Sequence, residues 1–261
     1  MSYGAFEFDG LIVDLDGVVW RGEDPIPGSA EALRKLRARG VQLVFLTNDP
    51  TSARANYAER LTAIGIPASA AEIVTSGSAL ATLILRREGF GRAACVIGSA
   101  ALKQELSAVG LQLCESREAE IVAVGGHTGF NYEELRIAAQ AVLRGARLYG
   151  AGRDATFPMP DGPWPATGSV LAAVETAASA TATVAGKPEA PIFEMARSLL
   201  PGCRHVAVVG DRLDSDIEGG KRAGFTTILV LTGTTTRADL RGALIEPDAV
   251  VDDLAGLVSR A

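Results

Sequence analysis

Leu11-Ile12-Val13-Asp14-Leu15-Asp16-Gly17 joins an unbroken apolar run to two carboxylates one residue apart. A short apolar run that stops at a turn glycine reads as a strand covered on both faces. Like charges at that spacing repel, and burial raises the cost of keeping both ionised. A bound cation removes that cost. The later stretch Val206-Ala207-Val208-Val209-Gly210-Asp211, followed by Asp214 and Asp216, repeats the pattern. Two strand-then-aspartate signals in one chain point to a metal-dependent phosphoryl-transfer site.

The bulk properties narrow the field. A chain of 261 residues can bury a substantial core, as one large domain or two small ones. With 31 acidic against 25 basic residues the net charge is −6, and no block of Lys or Arg stands out, which argues against a nucleic-acid partner. No apolar stretch approaches the ~20 residues of a membrane helix, and no basic-then-apolar leader opens the chain. No membrane partner and a cytoplasmic location are therefore expected. Cys95, Cys114 and Cys203 form no C-x-x-C pair and are expected to be buried free thiols. His127 and His205 are too few for a histidine-ligated metal site.

Around these strands the chain alternates strand and helix. Strands are expected at Leu11 to Asp14, Val41 to Leu46, Cys95 to Ile97, Ile121 to Val124, Arg147 to Gly150, Thr183 to Ala185, Val206 to Val209 and Thr227 to Leu231. Helices are expected from Ser29, as a cap, to Arg39, from Ser52 to Ile64, Ala100 to Val109 and Tyr132 to Arg144, then from near Ser169, from Pro191 to Leu199 and from Asp216 to Ala223. Gly40, Gly65 and Gly145 stand where helices should stop. The segment holding Pro158, Pro160, Pro163 and Pro165 reads as a loop of turns. Apolar strands alternating with helices mean parallel pairing and an α/β fold.

In open α/β sheets, ligands bind beyond the carboxyl ends of the strands. Four strand ends carry suitable chemistry: Asp14 with Asp16, Thr47 with Asn48, Lys187, and Asp211. A carboxylate can attack phosphorus and form an aspartyl phosphate that water then hydrolyses, and Asp14 is the candidate. An anion attacking an anionic phosphate needs neutralisation, which Mg²⁺ on oxygen ligands supplies. Asp211 suits a direct ligand, and the backbone carbonyl of Asp16 another. The Asp16 side chain can act as general acid and then general base. Thr47, Asn48 and Lys187 would hold the phosphate oxygens. Taken singly, a D-x-D is a turn or a cap, Thr47-Asn48 an ordinary strand ending, and Lys187 a solvated lysine. Asp214 and Asp216 could simply favour a helix N-terminus.

Together these elements resemble the haloacid dehalogenase superfamily of aspartate-nucleophile phosphatases, and the layout is similar to its subfamily IIA, the NagD-like and p-nitrophenyl phosphatase/phosphoglycolate phosphatase group. The resembling segments are Asp14 to Trp20, Pro25-Ile26-Pro27-Gly28, Thr47-Asn48, Val74-Thr75-Ser76, Ala185-Gly186-Lys187-Pro188 and Gly210 to Ile217. The resemblance implies a Rossmann-like parallel-sheet core, residues 1–78 and 184–261, with a large α/β cap inserted at 79–183. It makes Asp14 the nucleophile and a Mg²⁺ ligand, Asp16 the acid/base and a carbonyl ligand, and Asp211 the third protein ligand. Asp216 is implied to support the ligands from behind. The implied activity is Mg²⁺-dependent hydrolysis of a small phosphomonoester: a sugar phosphate, glycerol phosphate, phosphoglycolate or nucleoside monophosphate.

Two departures stand out. Asp49-Pro50 follow Thr47-Asn48 where the family usually has Asn and then Ser or Pro. Gly150-Ala151-Gly152-Arg153-Asp154 replaces a cap loop that typically reads Ala-Thr-Asn-x-Asp. This puts the usual substrate contacts at Arg153 and Asp154 in question. Arg153 either meets a second anionic group of the substrate or is an exposed arginine. Trp20 either lines the substrate mouth or is a packing wedge. His127 reads as a loop residue rather than a base. A dehalogenase would need neither Mg²⁺ nor Asp16, a phosphotransferase would replace water by an alcohol, and a silent binding protein would have lost Asp14 or Asp211. A homodimer is compatible with all of these.

Overall fold

The structure is a computed structural model that describes residues 7–159 and 161–258. The chain divides into two compact units. The first comprises Met1–Thr47, Arg54–Val74 and Phe193–Ala261, and the second Asn48–Ala53 and Thr75–Ile192. The second unit contains the whole of 79–183 and extends beyond it at both ends.

The first unit is built on a six-stranded sheet. Its strand order is Ala249–Val251, Thr226–Val230, Val206–Gly210, Gly10–Asp14, Gln42–Thr47 and Ile73–Thr75. Gly10–Asp14 pairs in parallel with Val206–Gly210 on one side and Gln42–Thr47 on the other. Leu11, Ile12 and Val13 are fully buried, which explains the lack of polar alternation in that run. The register sets Val13 beside Val209 and Asp14 beside Leu46, so Asp14, Thr47 and Asp211 all lie at the carboxyl edge.

Helix Ser29–Ala38 buries Ala32, Leu33 and Leu36 against this sheet's core. Removing a Leu-sized side chain from water contributes about 1.5–3 kcal/mol, so this stripe anchors the helix. Ser29 does not cap the helix as expected. Gly28, at φ 82°, takes the N-cap position, and the Ser29 hydroxyl donates to the Val18 carbonyl at 3.1 Å. The helix expected from Asp216 to Ala223 is a π-helical turn, Leu213–Ile217, followed by a short α-helix, Glu218–Arg222. Strand Ala249–Val251 and helix Leu254–Val258 extend the sheet and its core beyond the last expected element. Leu254, Leu257 and Val258 pack into the same cluster as Leu33 and Leu36.

The second unit has its own five-stranded parallel sheet, ordered Thr183–Val184, Arg147–Gly150, Ile121–Gly126, Ala93–Gly98 and Gln112–Leu113. Ile121, Val122, Ala123 and Val124 form its buried centre. Helix Ser76–Glu88, not anticipated from the sequence, starts at a reciprocal cap in which the Thr75 hydroxyl accepts from the Ser78 N–H and Ser78 returns a bond to Thr75 N–H. Helix Tyr132–Leu143 is capped by Asn131 with Glu134 in the same way. The proline-rich segment is not a loop throughout. Thr156–Met159 and Gly162–Pro165 form an antiparallel hairpin, where a two-stranded edge tolerates residues without a donor. Cys95 and Cys203 are buried, but Cys114, which follows the edge strand Gln112–Leu113, is only half-buried. Burial pushes the Cys95 thiol up to about 11.

Candidate active site

The first unit gathers carboxylates at the carboxyl edge of its sheet. Asp14 ends the central strand and Asp211 follows Gly210; each is at most 6% exposed. Asp216 is fully buried. One carboxylate oxygen from each of the three lies within 4.8 Å of the others. Three buried anions this close repel strongly unless a cation sits among them. An all-oxygen, all-carboxylate donor set fits a hard divalent ion such as Mg²⁺ and suits no soft metal. Asp216, expected to act from behind the ligands, brings one oxygen to this cluster.

Local structure pins each member. The wide π-helical turn sends Asp216 back towards its own start, where its Oδ2 accepts the Arg212 N–H at 3.1 Å. Asp214, two residues earlier, points away: its side chain is 70% exposed and paired with the Arg212 guanidinium at 3.1 Å. Asp211 Oδ2 accepts the Thr234 N–H, and the Asp211 carbonyl accepts the Thr235 N–H at 3.1 Å. Gly17, at φ 81°, closes the other flank; a Cβ there would stand 2.6 Å from Asp211 Oδ2. The loop after Thr226–Val230 was missed from the sequence. Its signal was the run Thr232-Gly233-Thr234-Thr235 directly after an apolar strand, and Thr232 Oγ1 also donates to the Gly17 carbonyl at 2.6 Å.

Asp16 differs from Asp14 in its surroundings. Its side chain is exposed, while Asp14 is buried. Asp16 Oδ1 accepts the Trp20 indole N–H at 3.0 Å. Trp20 is only 1% exposed and belongs to the first unit's core cluster. Thr47, 2% exposed, ends the strand beside Asp14.

In the second unit, Asn48, Asp154 and Lys187 come together. Asn48 Oδ1 accepts the Lys187 N–H at 2.8 Å, while Nδ2 donates to the Lys187 carbonyl at 3.1 Å and to Asp154 Oδ2 at 2.8 Å. The Asn48 carboxamide therefore pairs with the Lys187 backbone as a strand would. The Ser76 hydroxyl donates to the Asn48 carbonyl at 2.7 Å. The Lys187 side chain, expected on its own to be solvated, is 6% exposed.

Arg153 makes a two-pronged ion pair with Glu175, at 3.0 and 2.8 Å. That bond holds the Glu175 carboxyl below its ordinary range and raises the Arg153 guanidinium. A depressed carboxyl stabilises the fold above the ordinary carboxylate range and loses that contribution as pH falls through the depressed value. Arg153→Ala is expected to cost about 0.5–1 kcal/mol at neutral pH and less in acid, since the pair is half-exposed. Mono-anionic and di-anionic phosphate esters should be affected alike. A selective loss for di-anionic esters would show that Arg153 leaves Glu175 for substrate. His127, in the loop after Ile121–Gly126, has Nε2 2.8 Å from Glu134 Oε1.

Comparison with known proteins agrees with this architecture. A family model for haloacid dehalogenase-like hydrolases matches residues 11–112, and a second, HAD-hydrolase-like, matches residues 184–257. The sugar-phosphatase AraL of Bacillus subtilis is 34% identical over 97% of this chain and 93% of its own length. The p-nitrophenyl phosphatase from Archaeoglobus fulgidus superposes with a TM-score of 0.92 at 33% identity, covering 98% of this chain and all of the other. A glycerol phosphate phosphatase from Mycobacterium tuberculosis, in complex with magnesium, gives 0.90 at 34% identity over 96% of this chain and 76% of that one. The chain belongs to the haloacid dehalogenase-like hydrolases. It is a phosphatase, a hydrolase of phosphoric monoesters. Among the described residues no helix is long and apolar enough to cross a membrane.

Proposed function

We propose that the chain is a Mg²⁺-dependent, cytoplasmic phosphatase of subfamily IIA that hydrolyses a small phosphorylated metabolite through an aspartyl phosphate on Asp14. The observation that supports this most is the clustering of Asp14, Asp211 and Asp216 oxygens within 4.8 Å at the carboxyl edge of a parallel sheet. Asp14, the Asp16 backbone carbonyl and Asp211 would hold the ion, with Asp216 beside them. When bound, Mg²⁺ neutralises the carboxylates and the phosphate so that one anion can approach another.

The chain's own groups then divide the work. Asp14, fixed at a strand end, attacks phosphorus in line with the leaving oxygen. Asp16 donates a proton to that oxygen and, in the second step, takes one from the water that attacks the aspartyl phosphate. Thr47 and the Lys187 ammonium hold phosphate oxygens. Both Asn48 donors on its carboxamide already serve Asp154 and Lys187, so Asn48 reaches phosphate through its backbone N–H and shapes the Lys187 loop with its side chain. Residues 79–183 act as the cap that keeps bulk water from the phosphoenzyme.

Sugar phosphates and glycerol phosphate head the substrate candidates, since the relatives named above act on them; phosphoglycolate and nucleoside monophosphates follow. The test is phosphate release from a panel of such esters, with Mg²⁺ and with chelator. At least one ester should be hydrolysed with Mg²⁺ and none with chelator. Turnover of the panel at an equal rate in chelator would overturn the metal-dependent reading.

A further inference from the structure

Three glycines stand where side chains would otherwise collide with the carboxylate cluster. A Cβ on Gly210 would fall onto Asp216, and one on Gly17 onto Asp211. The third is Gly233, where a Cβ would stand 2.5 Å from Asp211 Cγ and 2.6 Å from Asp211 Cβ. Gly17 has a positive φ, but Gly233 lies outside the left-handed region, so its requirement is space. Bare backbone at 233 lets the loop after Thr226–Val230 lie directly on the Asp211 side chain. From that loop the Thr234 N–H donates to Asp211 Oδ2, and the Thr235 N–H to the Asp211 carbonyl at 3.1 Å.

The same loop also grips the other strand end. Thr232 Oγ1 donates to the Gly17 carbonyl at 2.6 Å, while the Gly17 N–H donates to the Trp20 carbonyl at 2.7 Å. Both backbone groups of Gly17 are thus engaged. A trans peptide is planar, so the Gly17 N–H aimed at Trp20 turns the Asp16 carbonyl the opposite way. The Arg21 guanidinium donates to the Thr232 carbonyl and adds the turn beyond Trp20 to the assembly. Residues 232–235 therefore fasten the segment carrying Asp14 and Asp16 to the segment carrying Asp211.

Resting on the Mg²⁺ ligand set proposed above, we propose that Thr232 and Gly233 are positioning residues that hold the ligands of the two strand ends at a fixed separation. Mg²⁺ demands a near-ideal octahedron at about 2.0–2.1 Å, so it gains most from ligands that are already in place. Residues that orient ligands from behind typically contribute about 10–100-fold to metal affinity. Thr232 does this through its hydroxyl, and Gly233 by leaving room for the Asp211 side chain under the Thr234 N–H.

Mg²⁺ binding to the whole chain, without ester, is the test, read by titration calorimetry and by the rise in unfolding temperature on adding the ion. Thr232→Val keeps the side-chain shape and loses the donor, Thr232→Ser keeps the donor, and Gly233→Ala adds the Cβ beside Asp211. Thr232→Val should weaken Mg²⁺ binding by about tenfold and Gly233→Ala by about 10–100-fold. Thr232→Ser should bind as the parent does. Without metal, Thr232→Val should unfold within about 2–4 °C of the parent, as expected for the loss of one hydrogen bond. Equal Mg²⁺ affinity in the parent, Thr232→Val and Gly233→Ala would overturn the positioning role and leave the metal-dependent reading standing. A loss in Thr232→Val that Thr232→Ser shares would also overturn the role of the hydroxyl. A parent that binds no Mg²⁺ would overturn both the positioning role and the metal-dependent reading. Should Gly233→Ala fail to fold, the two Thr232 variants decide the matter.

Discussion

Asp14→Asn is expected to abolish phosphate release from p-nitrophenyl phosphate, by about 10⁴-fold or more, while the protein stays folded. Asparagine has nearly the same shape, so the strand end and its register with Leu46 are undisturbed. Its amide is a poor nucleophile and forms no acyl phosphate that water can hydrolyse. The substitution also removes one of three clustered negative charges, so without metal the variant should unfold at the same temperature as the parent or higher. Substantial residual turnover by a folded Asp14→Asn protein would sink the nucleophile assignment. A collapse of stability would mean that Asp14 is chiefly a structural residue.

Asp211→Asn should give the second-largest effect, a loss of about 10²-fold or more at fixed Mg²⁺ that is partly recovered at higher Mg²⁺. Asp211 is packed on both flanks, by the Thr234 N–H and by Gly17, so the side chain has little room to find another pose. Turning its amide nitrogen towards the Thr234 N–H would lose that bond, and turning it inward would set a donor against the cation. A readout independent of turnover follows from linkage. An ion that binds only the folded state raises the unfolding temperature. Mg²⁺ should stabilise the parent against heat and stabilise Asp211→Asn far less. The same thermal shift in both proteins would place the ion elsewhere.

Much of the chemistry was legible because it sits at the ends of apolar runs. Val13 to Asp14 and Val209 to Asp211 announce strands by composition, and parallel pairing then brings distant carboxylates to one edge. What stayed hidden was decided by competition among side chains. Ser29 carries the preference of a cap residue, yet the Val18 carbonyl claims its hydroxyl and Gly28 supplies the turn. Arg153 read equally well as a substrate contact or a solvated side chain, and Glu175, 22 residues on, takes it for an ion pair. Asn48 reads as a phosphate ligand from its place at a strand end, and the fold commits both donors of its carboxamide to Lys187 and Asp154. Such choices depend on neighbours brought in by the fold, which spacing along the chain does not encode. Prolines at 158, 163 and 165 likewise suggest turns locally, although a two-stranded hairpin accepts them.

Phosphate is expected to pass through a covalent bond to Asp14, and this intermediate can be trapped. It is tested most directly by mixing enzyme, Mg²⁺ and a rapidly hydrolysed ester, quenching in acid within a turnover, and mapping phosphate on the peptides by mass spectrometry. Substrate-dependent phosphate is expected on Asp14, convertible by borohydride reduction to homoserine at that position, and none in Asp14→Asn. Full phosphate release with Asp14 unmodified throughout, or phosphate on another residue, would contradict it.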